Sequence, residues 1–106
     1  MTVNRIVLSL ELCEKIAYGG KRVVLYKDVM WPSIPPEDSI LVCGVSEDGE
    51  QTGFTATIKR VYWEANGDVA VGAGKENIRE EYDNIVTDIK RDGFLEYEDW
   101  KKSNES

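Results

Sequence analysis

Between Phe94 and Trp100 the aromatic and apolar residues Phe94, Leu95, Tyr97 and Trp100 are interleaved with Glu96, Glu98 and Asp99. Carboxylates spaced this way can mimic nucleic-acid phosphates toward a basic groove, while the rings supply contact area. Just upstream, Glu81, Asp88 and Asp92 fall along one flank of an expected helix when positions advance by about 100° per residue. That flank either extends the acidic strip or is an ordinary solvated edge. Together with Trp63 these residues form the candidate partner-binding set: Trp63, Glu81, Asp88, Asp92, Glu96, Tyr97, Glu98, Asp99 and Trp100.

A second constellation suits a small ligand. Lys21, Tyr26, Lys59, Arg60 and Trp63 combine cations with aromatic walls, as the pocket of a barrel that binds a nucleotide or another small ligand such as a sugar would need. Catalytic chemistry has little to work with. The chain has no histidine, the side chain that most often serves as a general base near pH 7 and as a metal ligand. Cys13 and Cys43 lie thirty positions apart, too far for a Cys-x-x-Cys knuckle, and read as two reduced thiols in an intracellular protein. Gly72-Ala73-Gly74-Lys75 lacks the spacing and the hydroxyl of a phosphate-binding P-loop. The reading is a binding module with no catalytic residue, cofactor or metal.

Charge narrows the partner. The 106 residues carry 13 basic and 20 acidic side chains, a net of −7, which repels a phosphate backbone and favours a protein with a basic surface. Direct nucleic-acid binding is not expected. An inhibitor that occupies the basic surface of a nucleic-acid enzyme or defence complex fits this balance. No apolar run approaches the roughly 20 residues that span a bilayer, and the opening residues lack a signal-peptide pattern, so a cytoplasmic location without membrane attachment is expected.

The elements that must position these residues are mostly strands. Arg5–Leu10 alternates as a strand, after which two readings stay open. Either Ser9 caps a short helix through Leu12, Cys13, Ile16 and Ala17, ending at Gly19-Gly20, or the strand runs to Leu12 and a loop follows. Lys21–Val29 and Ser39–Val45 read as further strands, separated by a proline-rich crossing in which Trp31 either plugs a barrel end or is exposed. Thr52–Glu64 and Val69–Ala73 form a hairpin around Asn66-Gly67, expected as a two-residue type I′ turn. That turn pairs Trp63 with Ala70, Val61 with Gly72, Tyr62 with Val71 and Glu64 with Val69. Phe54, Ala56, Ile58, Tyr62, Val69 and Val71 would then face the core. Trp63 would stand over Ala70 and Gly72 on the other face, bare or covered by the C-terminal helix.

For that helix, Asn77 and Glu80 suggest a capping box, with Ile78, Tyr82, Ile85, Val86 and Ile89 on one face and Gly93 as the stop. The expected architecture is α+β: one domain over residues 1–100, a small antiparallel barrel or strongly curled sheet of about five strands with a C-terminal amphipathic helix, then a flexible tail over 101–106.

The stretch from Leu12 to Val23, with Asp38-Ser39-Ile40-Leu41-Val42 downstream, slightly resembles the helix–Gly–Lys–strand opening of ASCH domains, small barrels related to RNA-binding PUA modules. The resemblance implies a weak RNA-related or hydrolase alternative centred on Lys21. Val24 and Tyr26 stand where that family places polar or charged residues.

Overall fold

A computed structural model describes residues 4–16 and 19–104. Six strands and two helices follow in the order β1 (Asn4–Glu14), β2 (Arg22–Trp31), β3 (Ile40–Val45), β4 (Gln51–Trp63), β5 (Val69–Ile78), α1 (Tyr82–Arg91), β6 (Leu95–Glu96) and α2 (Tyr97–Asn104). The strands form one sheet in the order β3-β4-β5-β1-β2-β6, curled into a half-barrel. The α+β class with a curled sheet and a C-terminal helix is therefore as the sequence indicates. The sheet is mixed, however: β1 runs antiparallel to β2 but parallel to β5, which closes the meander back onto the first strand.

Alternation explains the core. Ile6, Leu8, Leu10 and Leu12 all point to one face of β1 and are at most 1% exposed, and Leu25, Ala56, Ile58, Val69 and Val71 meet them there. The helix α1 lays Tyr82 and Ile89 onto this concave face, with Ile85 and Val86 packed at its margin. The Tyr82 hydroxyl donates to the Leu12 carbonyl at 3.0 Å, so the ring is anchored as well as buried. Trp31 is half-buried against the core, in keeping with a plug more than with an exposed contact.

Residues 9–14 are strand, so the Ser9-capped helix does not form there; Ala17 lies outside the described residues. The paired neighbours on both sides decide the outcome, since β1 is the central strand between β2 and β5 and each of its residues gains ladder bonds that a short isolated helix could not match. The resemblance to an ASCH opening loses its first element with it.

The hairpin register also differs from expectation. Glu64 N–H donates to Asp68 O at 2.9 Å and Gly67 N–H to Glu64 O at 3.0 Å, a three-residue loop in which Gly67 alone takes a positive φ, +95°. Asn66 instead accepts the Asp68 N–H at 3.0 Å through its side chain. Consequently Trp63 pairs with Val69, Tyr62 with Ala70, Val61 with Val71 and Arg60 with Gly72. A bulge at Lys59 then shifts the strand by one more residue, so Ala56 and Ile58 stay buried while Tyr62, expected in the core, is 50% exposed.

At the next junction β5 runs on through Ile78, which is buried at the strand end and does not join the helical face. The capping box is absent: Asn77 has φ +62°, and the N-cap is Glu81, with no side-chain cap hydrogen bond. The stop at Gly93 is as expected. Gly93 N–H donates to Lys90 O and Phe94 N–H to Ile89 O, a Schellman arrangement with Phe94 and Ile89 both buried. Beyond it, α2 carries residues 101–104, assigned to a tail by sequence, to Asn104.

Candidate partner-binding surface

The C-terminal segment divides its chemistry between two faces of one short helix. On the convex side of the sheet, Tyr26 is flanked by Tyr97 at 5.5 Å, edge-on, and by Trp100 at 5.4 Å, stacked. Trp100 Nε1–H donates to Asp28 at 2.9 Å, and Asn104 accepts from Arg5 at 3.1 Å. Arg5 also pairs with Asp28 and Asp68, so the last turn of α2, strand β2 and the β4–β5 hairpin meet at one guanidinium. An eight-residue helix is unstable in isolation, and these contacts fix it.

The rest of the helix surface presents Glu98 and Asp99 in the first turn and Lys101 and Lys102 in the last, all exposed. Glu98 and Asp99 are exposed in the first turn, where a carboxylate suits the helix dipole, and neither has an ion-pair partner among the described residues. Glu96 is exposed but lies 3.7 Å from Lys90. Glu81 and Asp88 come together at a cleft of about 270 Å³ between the start of β4 and α1, alongside Phe54 and Ile85, with no basic residue in its lining. Asp88 is held by Arg91 at 2.7 Å.

Asp92 is a joint inside the fold. One carboxylate oxygen accepts the Gly44 N–H at 2.9 Å, the other faces Lys27 at 3.6 Å, and its carbonyl accepts from the same ammonium at 2.7 Å. Trp63 is 69% exposed at the end of β4, covered by neither helix, and it does not stand over Ala70 and Gly72.

The five residues of the small-ligand set are not brought together. Lys21 pairs with Asp83 of α1 at 3.1 Å, Tyr26 lies under Trp100, and Trp63 shares the Val69 side of its strand. Lys59 and Arg60 do line a groove of about 410 Å³ on the convex face, joined by Arg22 and Tyr62 over a floor that includes Ser9 and Gly72. Arg22 is paired with Glu11 and Lys59 with Glu76, whereas among the described residues Arg60 donates only to the Tyr62 hydroxyl, at 3.1 Å. Arg22 and Tyr62 escape the sequence reading, Tyr62 because the bulge at Lys59, which turns it and Arg60 to this face, has no sequence marker, and Arg22 because only the pairing of β2 with β1 brings it here. Strand alternation placing Arg22 near Glu11 is the one signal that could have found the first of them.

The two thiols differ in setting. Cys43 is 2% exposed, and burial, reinforced by the Asp92 carboxylate, pushes its thiol up to about 11. Cys13 is half-buried beside Glu11, and burial followed by that carboxylate raises its pKa as well. Both are held as neutral thiols, poorly suited to nucleophilic attack. No helix is long and apolar enough to cross a membrane among the described residues. Scans of family models, curated proteins and solved structures each found no match to this chain.

Proposed function

We propose that the chain is a non-enzymatic protein-binding module that engages a basic surface of its partner, in the manner of an inhibitor of a nucleic-acid enzyme or defence complex. The observation that carries this reading is the pair Glu98 and Asp99: exposed carboxylates without cationic partners, on a helix held in place by Tyr97, Trp100 and Arg5. Exposed carboxylates held in place in the first turn of α2, ahead of Lys101 and Lys102 in its last, can steer association with a cationic surface and lose little entropy on docking. Affinity capture from the organism that encodes the protein, using wild type and Glu98→Lys/Asp99→Lys baits, tests it. Basic proteins retained by the wild type and lost by the variant support the proposal; an identical set on both baits rejects it.

A second reading is favoured by one observation, the groove that holds Arg60. Among the described residues Arg60 forms no ion pair, and with an aromatic hydroxyl beside it this guanidinium suits a small anion such as a nucleotide phosphate, although Glu11 and Glu76 also line the groove. Calorimetric titration with nucleoside monophosphates should then give heats that Arg60→Ala abolishes. Equal heats with both proteins would remove this reading.

A further inference from the structure

Strand β3 is the outermost strand on one side of the sheet, and among the described residues its only strand neighbour is β4. Ile58 N–H donates to Ser39 O at 2.9 Å, which makes Ser39/Ile58 a hydrogen-bonded pair. In an antiparallel ladder such pairs alternate, so Leu41 and Cys43 turn their backbone groups toward β4, while Ile40, Val42 and Gly44 turn theirs outward. Gly44 fits this rule, since its N–H leaves the sheet to reach Asp92 at 2.9 Å. Arg91 covers the neighbouring Val45 carbonyl at 3.0 Å, so α1 closes that end of the edge. No described residue pairs with Ile40 and Val42 on the outer side.

A bulge between Cys43 and Val45 and the helix α1 protect the far end of this edge, but the stretch Ile40–Val42 lies outside both. Ile40–Val45 contains no proline and no charge, and Ile40 and Val42 are 62% and 45% exposed. Such an edge is a template for an added strand, with main-chain bonds giving affinity and alternate side chains giving selectivity.

Charge identifies the occupant. Between Lys27 and Lys59 the chain has no basic residue and six acids, of which Glu37 and Asp38 lead into β3 and Glu47, Asp48 and Glu50 follow it. All five are exposed. A second copy pairing antiparallel, Ile40 opposite Val42, would bring Asp38 of each chain to within on the order of 10 Å of Glu47 of the other. A parallel pairing would set the acids of the two copies directly side by side. We infer that the Ile40–Val42 edge takes an extended basic segment of a partner protein as a seventh strand, apolar at alternate positions and flanked by lysine or arginine. This rests on the proposed preference for basic partners and adds a site and a mode of docking.

The test uses a fluorescein-labelled octapeptide, Lys-Lys-Val-Thr-Val-Thr-Lys-Lys, its glutamate-flanked counterpart, and a lysine-flanked form N-methylated at alternate amides. Val42→Pro removes the outward N–H at a position where an edge strand tolerates proline. Anisotropy titration should show saturable binding of the lysine-flanked peptide. Affinity should fall at least tenfold for Val42→Pro, and equally for the N-methylated peptide on the wild type, a comparison that needs no variant to fold. The glutamate-flanked peptide should not bind. Undiminished binding by Val42→Pro and by the N-methylated peptide would overturn the edge as the site. If that binding were still lost in Glu98→Gln/Asp99→Asn, the preference for basic partners would survive without it. Absence of binding, equal binding of the glutamate-flanked peptide, or a dimer dispersed by Val42→Pro would each overturn the inferred occupant.

Discussion

Asp92 shows how a charge that looks available in sequence can be engaged within the fold. Its carboxylate caps the Gly44 amide and faces Lys27, so replacement by alanine leaves a buried amide without its acceptor and the ammonium with the backbone carbonyl at position 92 but no carboxylate. Asp92→Ala should lower stability by about 1–3 kcal/mol in chemical unfolding. The neighbouring Cys43 yields a pH prediction. Its thiol holds the proton more tightly when folded, so the unfolded chain ionises first as pH rises above the ordinary value of 9. Stability is unaffected below that value and falls between it and about 11. Burial raises Tyr82 in the same direction, adding to the loss at the alkaline end. The slope of the urea midpoint with pH over this window should be shallower in Cys43→Ala than in wild type, a comparison insensitive to the cavity the variant creates.

At the scale of elements, the two helices are held by different means, and each can be broken separately. The end of α1 depends on Gly93, whose φ of +99° disfavours any side chain and whose added Cβ would sit 3.4 Å from Lys27. Gly93→Ala should cost about 1–3 kcal/mol, read as a lowered unfolding midpoint. The helix α2 depends on the Tyr26, Tyr97 and Trp100 cluster, so Trp100→Ala should release it with loss of near-ultraviolet aromatic signal while the β-sheet spectrum persists. Most strands were legible from alternation and turn residues, and the Gly93 stop from glycine's tolerance of positive φ. The register of β4 against β5 was not, because Asn-Gly serves a three-residue loop as readily as a two-residue one, and the bulge at Lys59 arises only when both strands pack. The N-terminal end of α1 was missed for a related reason: pairing with β1 draws Ile78 into β5 although its spacing fits the helical face.

For the whole molecule, the proposed binding of a basic partner turns on which acids stay unneutralised after folding, and a one-dimensional charge count cannot tell. Of the nine residues singled out for partner binding, Asp92 is a joint, Asp88 is held by Arg91, and Tyr97 and Trp100 fasten the helix. Glu81, Glu98, Asp99 and the bare Trp63 indole remain directed at solvent. Glu96 should matter less than its neighbours because Lys90 lies close to it. The most direct measurement is the affinity of the captured partner for wild type, Glu98→Gln/Asp99→Asn and Glu98→Lys/Asp99→Lys across a series of salt concentrations. The account predicts progressive weakening through that series, on the order of tenfold or more for the reversal, with a flatter dependence of log Kd on log salt. Unchanged affinity and an unchanged salt slope in both variants would contradict it.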